Sequence, residues 1–342
     1  MAIQLCFGSP PLFSQNTQKG KDVMLRYALN RILWLIPVLL CVSFIIYALM
    51  DFAPGTVIDS MISDEMTQED IDLLKARYDL DKPMIFRYGK YMVGLVQGNL
   101  GTSQITGLNV WEQYVSRWPA TLKLSLLSLA VGVLLAIPLG IFAAKHAGTI
   151  LDNLTTGFTL IGLSMPAFWL GLLLLIWFSL RLKIFPAGYD GTWKCYVLPV
   201  LATGLSMSAT CTRQTRSAIL EVSRQDFLRT ARAKGVPERQ VTWKHVLRNA
   251  WIPIVTQIGL MLGITLSGSA IIEQVYTWPG VGRLLVVAIN QRDINMATGC
   301  VILTSGMFVI ILLFVDIIYA FIDPRIRAQY ASKKKKRKEA IA

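Results

Sequence analysis

Residues 223–253 read SRQDFLRTARAKGVPERQVTWKHVLRNAWIP, and this basic stretch lies between two uncharged runs of the sequence. The segment 213–248, here called the basic loop, carries nine Lys and Arg residues around a Gly-Val-Pro break. The chain as a whole is apolar, with 54% hydrophobic and 16% charged residues among 342. A soluble domain of this size would carry about 25% charge. The basic loop therefore interrupts a sequence that is otherwise suited to a membrane.

Six uncharged runs divide the sequence, and they predict six transmembrane helices. A helix needs about 20 apolar residues to cross the hydrocarbon core, and five runs meet this length comfortably. The run at 195–212 is the weakest because it contains many Ser and Thr residues and a proline. A helix that is packed among others can be that polar. We expect spans at about 32–50, 119–144, 153–180, 195–212, 249–272 and 294–322.

The distribution of basic residues orients these spans. With the N-terminus inside, the inner segments hold 22 Lys and Arg against 7 Asp and Glu, whereas the outer segments hold 12 against 13. This asymmetry is the positive-inside pattern of membrane proteins. Both termini are then cytoplasmic. Because the topology accounts for the net charge of +13, no nucleic-acid partner is needed to explain it.

The two ends of the chain differ in composition from its apolar middle. Residues 1–23 are polar and unpatterned, and they predict a disordered N-terminal extension or an upstream start, with Met24 opening the natural inner flank of the first span. A cleaved signal peptide is disfavoured because the first apolar run is too long. The tail 326–342 contains KKKKRK at 333–338. We expect it to be disordered near anionic lipid, with a partner contact as the alternative.

The outer loop 52–118 is predicted to form short helices on the membrane surface. Thr67 lies three residues before Asp70, which is a pattern typical of a helix start. The apolar positions that follow fall on one face: Ile71, Leu74 and Tyr78. These helices can serve as a packed cap or as a docking platform, and the two readings are compatible.

A second helix of this loop begins at Pro83 and ends at Gly98. Its predicted apolar stripe consists of Ile85, Tyr88 and Leu95.

Small residues and prolines mark the spans themselves. Gly132, Ala136 and Gly140 recur every four residues and favour close packing, more within this chain than between subunits. Pro119 suits the start of the second span. The prolines expected to bend or break their helices are Pro138, Pro166 and Pro253. Asp316 is the only acidic residue within a predicted span, near its inner end, where a structural role is favoured over proton transfer.

The basic loop is predicted to contain two short helices with a sharp joint. Ser223 and Asp226 favour a helix start, and the first helix runs through Arg232 to a stop at Gly235. Pro237 then opens a second helix that leads into the next span. A solvated loop that only sets the topology remains an open reading.

One face of the first short helix suits a protein contact. Phe227 and Ala231 lie four residues apart, and the small side chains of Ala231 and Ala233 leave room for the groove of another protein. The spacing alone does not identify that partner.

The sequence RTARAKG at 229–235, followed by HVLRNAWIP, resembles the coupling motif of bacterial ABC importer permeases, E-A-A-x3-G-x9-I-x-L-P. Aligned on Gly235, the E-A-A places are taken by Arg229, Thr230 and Ala231. Leu247 matches the usual Leu, but His245 replaces Ile and Arg248 replaces Pro. The general motif is thus matched only at Ala231, Gly235 and Leu247. These departures fit the dipeptide/oligopeptide/nickel permease branch, which uses R-T-A-x-A-K-G and H-x-L-R-N-A.

Other stretches in the expected order are similar to the same branch, and the likeness covers about 24–325. They are ILWLIPVLLCVSFIIYAL, YDLDKPMIFRYGKYMVGLVQGNLGTS, WPATLKLSLL and IIEQVYTWPGVGRLLVVAINQRDINMATG. In the second of these, Asn99 stands where Asp is commoner.

The resemblance implies an all-α membrane protein with a type I ABC importer permease fold, a permease domain at 24–325 and a place in the bacterial plasma membrane. It implies four kinds of partner: a homologous second permease, two cytoplasmic ATPase subunits, an extracytoplasmic solute-binding protein and the lipid bilayer. The ATPases would bind ATP and Mg, and their grooves would receive the loop around 223–245. The residues expected at this contact are Phe227, Arg229, Thr230, Ala231, Ala233, Lys234 and Gly235.

The resemblance also implies a route for the solute. The solute-binding protein would deliver it to the outer segments 52–118 and 273–299. Di- and oligopeptides are the expected solutes, with nickel and other small solutes left open.

Several motifs are absent from the sequence. It contains no G-x4-G-K-[ST] phosphate loop, so the chain is not expected to hydrolyse ATP. Its five cysteines show no paired spacing, and its two histidines are far apart, so we expect no disulfide, no metal site and no cofactor. A secondary transporter is the first alternative, but it would carry more intramembrane acids than Asp316. A membrane enzyme is the second, and it would need a clustered catalytic set.

Overall fold

Helices account for most of residues 15–62 and 66–322, the part of the chain that this computed structural model describes. Within that part, the one β-type contact is an isolated bridge between Thr102 and Asn109. The α-helices are α1 Gln15–Phe52, α2 Gln68–Arg77, α3 Met84–Val96, α4 Val110–Lys145, α5 Ile150–Ser164, α6 Ala167–Leu174, α7 Val197–Ser223, α8 Asp226–Ala233, α9 Glu238–Gln240, α10 Leu247–Gly268, α11 Ala270–Val275, α12 Val281–Asn290 and α13 Ile294–Ile322.

Within the described residues, five stretches of helix are long and apolar enough to cross a membrane: Leu33–Phe52, Val110–Lys145, Trp193–Ser223, Glu238–Leu266 and Ile294–Val315. A bent pair, Ile150–Ser164 with Ala167–Arg181, here called the broken span, brings the number to six when it is counted as one crossing. The prediction of an all-α membrane protein is confirmed, and the six predicted spans are matched when the broken span counts as one.

The broken span changes direction by 93° at Pro166. Met165 has an extended backbone (φ −87°, ψ 119°), as expected of a residue that precedes proline. Proline also lacks the N–H that would continue α5. The expected break at Pro166 is therefore confirmed. Pro138 and Pro253, by contrast, lie inside α4 and α10, which continue past them.

The second and fourth spans begin or end away from their predicted limits. Pro119 does not start the second span, because α4 already begins at Val110, where the Asn109 side chain accepts a 2.9 Å hydrogen bond from the Trp111 N–H. The fourth span continues to Ser223 as α7. In its most apolar window 67% of the residues are buried, against 17–39% in the other four straight spans. This burial explains why its sequence is the most polar.

Helices α4 and α7 form a close seam in the centre of the bundle. A Cβ atom on Gly132 would lie 3.0 Å from the Gly204 carbonyl oxygen, and one on Gly140 would lie 2.6 Å from Thr215 Cβ. Ala136 between them is fully buried. The small residues predicted to favour close packing therefore do so within this chain.

The outer loop forms the two predicted helices. Thr67 and Asp70 make a reciprocal capping box at the start of α2, and its half-buried positions are Ile71, Leu74 and Tyr78. On α3 the predicted stripe is partly wrong, because Ile85 is 64% exposed. The side chains that pack inward are Met84, Tyr88, Tyr91, Met92 and Leu95.

Polar contacts bind this outer loop to the start of α13. The buried Asp293 carboxylate accepts from Ser103 Oγ (2.5 Å) and from the Met296 N–H (3.0 Å). Gln104 Oε1 accepts from the Ile294 N–H at 3.1 Å. The outer loop is thus a packed cap over the last span, and this leaves its docking role to be tested.

The chain ends differ in how far they are described. The first helix begins at Gln15, inside the segment 1–23 that was expected to be disordered. Residues 1–14, the basic tail 326–342 and the side chain of Asp316 lie outside the described part of the chain.

Candidate functional site

The basic loop folds into two short helices joined at an elbow. Helix α7 ends at Ser223, and α8 begins at Asp226. The predicted helix start at Ser223 is wrong, since its hydroxyl donates back to the Ile219 carbonyl oxygen at 2.7 Å. Gln225 takes the position before α8 with an extended backbone.

The elbow lies between Lys234 and Pro237. Gly235 has a φ of +76°, a left-handed conformation that glycine adopts without strain. Around it, the Val236 N–H donates to the Ala231 carbonyl oxygen at 3.3 Å. Pro237 then precedes α9, which continues through a wider turn at Val241–Val246 directly into α10. The predicted joint is therefore present, and the second helix is the inner end of the fifth span.

An ion pair crosses the elbow. Arg232 donates from both Nε and Nη2 to the Glu238 carboxylate, at 3.2 and 2.9 Å. The two residues lie on either side of Gly235. Because two hydrogen bonds fix the guanidinium in one plane, this contact favours a single angle between the two helices.

Leu228 attaches α8 to the rest of the protein, and sequence reasoning missed it. Its side chain is fully buried, whereas the neighbouring Phe227 is 40% exposed. The buried cluster around it draws on three spans and contains Ile141, Ala144, Ala218, Ile219, Val222, Val241, Val246, Ala250 and Ile254. The available signal was that Leu228 is the only aliphatic residue larger than alanine in α8.

The seven residues expected to contact an ATPase lie together on α8 and the elbow. Six are exposed, and Ala231 is half-buried. Phe227, Ala231 and Lys234 follow one another at spacings of three or four, so they share one helix face. The Arg229 side chain is 81% exposed and pairs only loosely with Asp226, at 3.8 Å. The arrangement presents an apolar ring, small side chains and cations to the inner side.

A second feature lies at the opposite end of the bundle, in the outer hairpin 269–283. Its Glu273 side chain is fully buried. One carboxylate oxygen accepts from Thr121 Oγ1 (2.8 Å) and Ser269 Oγ (2.9 Å), and the other accepts from the Arg283 N–H (3.0 Å). Thr121 in turn accepts from the Val281 N–H at 2.9 Å. Glu273 and Thr121 therefore satisfy the N-terminus of α12 and bind it to α4.

Two aromatic side chains of the outer hairpin reach other spans. Trp278 is fully buried and donates from Nε1 to the Ala120 carbonyl oxygen at 3.1 Å. Tyr276 donates from its hydroxyl to the Gly171 carbonyl oxygen at 2.7 Å. The hairpin thus joins the outer ends of α4 and α6.

No residue set for covalent or metal chemistry accompanies these features in the described ranges. There, no three His, Cys, Asp or Glu side chains come together as a metal-binding group. Cys41, Cys195, Cys211 and Cys300 are free thiols. The elbow is instead an exposed surface of apolar, small and cationic side chains.

The fold defines a class of membrane protein. The chain is similar to a chain in structures of the MetNI methionine ABC transporter described as inward-facing conformations. One has a TM-score of 0.52 at 17% identity and covers 62% of this chain and 97% of that one. Another has a TM-score of 0.51 at 19% identity, with 61% and 95% covered. At this identity the likeness shows the fold, which is that of an ABC importer permease.

Sequence similarity then places the chain within that class. Residues 136–328 match the binding-protein-dependent transport system inner membrane component, and residues 24–125 match the N-terminal region of such components. The chain belongs to this family of inner-membrane transport components. It is 39% identical over 304 residues to the glutathione transport system permease protein GsiC of Salmonella paratyphi A, covering 89% of this chain and 99% of that protein. GsiC of Escherichia coli K12 is 38% identical over the same length.

The predicted class and location are therefore confirmed. The protein is a multi-pass component of the bacterial inner membrane and a permease subunit of an ABC importer. The alternative of a secondary transporter finds no support in these similarities.

Proposed function

We propose that this permease subunit imports small peptides and that α8 and the elbow are the surface through which an ATPase subunit drives it. The observation that carries the proposal is the contrast within α8. Seven predicted contact residues lie on or beside one surface, while Leu228 ties the same helix into a cluster shared by three spans.

This contrast suits the transmission of force. A groove that closes on Phe227 and the elbow would displace α8 as a unit, because Leu228 and the Arg232–Glu238 pair hold its orientation. The buried cluster would pass the displacement to the inner ends of α4, α7 and α10. Protein interiors are close-packed and transmit such displacements rather than absorbing them. ATP and Mg would be bound by the ATPase, and this chain would need no cofactor of its own.

The proposed assembly contains two permeases, two ATPases and a solute-binding protein. Membership in a binding-protein-dependent family supports the last two kinds of partner in general. A homologous second permease would complete the translocation pathway. The solute-binding protein would dock on the outer segments 52–118 and 273–299, where α2, α3 and the outer hairpin form a packed surface.

The proposed solute class follows from the relatives. GsiC proteins are permeases of glutathione transport systems, and they align with this chain over 99% of their own length. A peptide of two or three residues is therefore the solute we propose, with nickel as the alternative that the wider branch allows.

Reconstitution tests the proposal. The chain is purified with the products of its neighbouring genes and placed in proteoliposomes that contain ATP and Mg. We expect uptake of labelled glutathione or of members of a dipeptide and tripeptide mixture, and we expect it to require ATP hydrolysis by a separate subunit. Uptake that follows an ion gradient with no ATPase bound would overturn the assignment of the drive, and uptake of nickel alone would overturn the assignment of the solute.

Cysteine crosslinking tests the contact surface. A Thr230→Cys variant, whose site is exposed on α8, is expected to crosslink to the ATPase subunit. A Lys194→Cys variant is the matched control, because Lys194 is exposed on the outer side of the bundle. An elbow that crosslinks only to lipid or reagent throughout the ATP cycle would contradict the proposal.

A further inference from the structure

The inner end of the broken span is tied to α7 by an ion pair that neither the motifs nor the spacing indicated. Arg216 of α7 donates from Nε and Nη2 to the two carboxylate oxygens of Asp152, both at 2.7 Å. Asp152 lies in the first turn of α5 and is 3% exposed. Its carboxylate also accepts from the Gly148 N–H at 2.9 Å. Two parallel N–H···O contacts of this length form a bidentate, charge-assisted pair that is fixed in both direction and plane.

The position of the pair links it to the basic loop. Arg216 lies two turns before the end of α7 at Ser223, and α8 begins three residues later. Between Arg216 and that end, Ala218, Ile219 and Val222 belong to the same buried cluster as Leu228. A displacement of α8 therefore reaches Arg216 through continuous helix and close packing.

The outer half of the broken span has a different partner. Gly171 of α6 accepts the hydrogen bond from Tyr276, and a Cβ atom on Gly171 would lie 3.3 Å from Ile272 of the outer hairpin. The hairpin is in turn bound to α4 through Glu273 and Thr121. Between the two halves lies the 93° break at Pro166. The ion pair and the hydrogen bonds thus fix each half to a different element, although α6 also packs against the outer end of α7 at Leu198 and Ala202. The backbone between the two halves is not continuous helix.

We propose that Asp152 and Arg216 are positioning residues that make α5 follow α7 when the elbow is moved, while α6 stays with the outer hairpin. The bend at Pro166 then changes its angle during the transport cycle. This inference rests on the proposed ATPase contact of the basic loop. In this proposal, the ion pair transmits the displacement of the basic loop to the broken span.

Distance measurements on the assembled transporter test this directly. Cys6 and the exposed Cys41 are first replaced by Ser. Spin labels are then placed at Ile150 and Glu221, which are both exposed, to report on α5 relative to α7. A second pair at Ile150 and Leu182 reports across the bend. On trapping with ATP and vanadate, we expect the first distance to remain constant and the second to change.

The variant Asp152→Asn is expected to uncouple the two helices. The distance between positions 150 and 221 should then broaden or shift on ATP trapping, and the ATP hydrolysed per glutathione imported should rise about 5-fold or more. The charge exchange Asp152→Arg with Arg216→Asp should restore much of the lost coupling. If Asp152→Asn does not accumulate, Arg216→Lys serves instead, since it keeps the charge but loses the paired geometry. The matched control is Asp72→Asn, which removes an exposed pair with Lys75 in the outer loop.

The outcomes separate this inference from the function on which it rests. A wild-type complex that does not retain the ATPase, or whose uptake does not require ATP, would contradict the proposed function. An active wild-type complex with no ATP-dependent change in the 150–182 distance would overturn the inference alone. An ATP-dependent change in the 150–221 distance of the wild type would overturn the inference alone. So would an Asp152→Asn complex with unchanged distances and an unchanged ratio of ATP to solute.

Discussion

Thr121 and Glu273, separated by 152 positions in the sequence, share a buried hydrogen bond of 2.8 Å at the outer end of the bundle. Thr121 belongs to α4, and Glu273 belongs to the outer hairpin that precedes the last span. Because the same carboxylate also satisfies Ser269 and the Arg283 N–H, the hairpin, α4 and α12 are held as one unit.

Glu273→Gln should destabilise this unit. Both carboxylate oxygens of Glu273 accept hydrogen bonds, whereas the Gln side chain replaces one of them with an NH2 group that cannot accept. One buried donor therefore loses its partner, at a cost of about 1–3 kcal/mol. Hydrogen exchange of residues 270–283, measured by mass spectrometry in detergent, should become faster. Glu221→Gln, at an exposed position of α7, is the control and should change stability by no more than about 0.5 kcal/mol. Equal exchange in both variants would show that the network contributes little.

Gly235→Val should uncouple or disassemble the transporter while membrane insertion remains intact. No atom lies within 4 Å of a Cβ built on Gly235, so the penalty comes from its φ of +76°. A left-handed backbone costs a residue with a side chain about 1–2 kcal/mol, and more when it is β-branched. Gly98→Val is a matched control in the outer loop, with a φ of +81° and similarly open surroundings. Co-purification of the ATPase measures the effect, and normal ATP-dependent uptake by Gly235→Val would show that the elbow is dispensable.

Leu228→Ala should reduce stability, whereas Phe227→Ala should weaken ATPase binding, although the two residues are neighbours. Leu228 is fully buried, and its truncation leaves a cavity that destabilises the basic loop by about 2–5 kcal/mol. Phe227 is 40% exposed, so its truncation should leave the thermal midpoint within a few degrees but weaken ATPase binding. Thermal unfolding and ATPase pull-down on the same preparations distinguish the two effects. The division of roles is wrong if Phe227→Ala lowers the midpoint as much as Leu228→Ala.

Gly140→Ala should strain the seam between α4 and α7. The added Cβ would lie 2.6 Å from Thr215 Cβ and 2.9 Å from the Thr212 carbonyl oxygen. Overpacking of this kind costs about 1–3 kcal/mol. Gly157→Ala in α5 is the control, because nothing lies within 4 Å of its Cβ position, and it should be neutral or slightly stabilising. Thermal midpoints at a fixed detergent concentration compare the two variants.

The corner between α2 and α3 should resist acid until the pH is low. Hydrogen bonds from Lys82 and then Lys90 lower the pKa of Asp79 from its ordinary 3.8 to about 2. A depressed carboxyl pKa contributes stability that is complete above the unfolded value and is lost as the pH falls through the folded one. Hydrogen-exchange protection of residues 78–90, corrected for intrinsic rates, should therefore hold from pH 7 to 5 and decline below about pH 4.

Asp79→Asn tests the origin of this acid response. The variant should show reduced protection at pH 7 and should resemble the wild type near pH 2. Asp72→Asn, which removes a mostly exposed pair with Lys75, should change little at any pH, as is usual for surface pairs. A wild-type corner that loses protection between pH 6 and 5 would contradict the assignment to Asp79.

Local chemistry made much of the fold predictable. The length of the apolar runs predicted the six spans, Pro166 predicted the break in the broken span, and Gly235 predicted the elbow. Each of these signals depends on a few adjacent residues. The prediction of a helix start at Pro119 is wrong because Asn109 caps α4 ten residues earlier, within the segment 52–118 that the sequence assigns to the outer loop. Ser223 failed because a hydroxyl inside a helix can also bond to the preceding turn.

The contacts between distant segments could not be read from one sequence. Asp152 and Arg216 are 64 positions apart, and each looks like an ordinary polar flank of an apolar run. Leu228 is the one large aliphatic residue of α8, but the sequence does not show what it packs against, since its burial depends on where α4 and α10 end. The exposed positions of the elbow were easier to anticipate because the family resemblance named them directly.

The two halves of the broken span are each 15 residues long, or about 22 Å as helix, and are shorter than the roughly 20 apolar residues needed to cross the hydrocarbon core alone. Neither half alone therefore has the length that a spanning helix needs. Helix α7, which supplies Arg216 and packs against both halves, emerges from the ribosome afterwards. The backbone groups that Pro166 leaves without helical partners are therefore covered by a span that is synthesised after them.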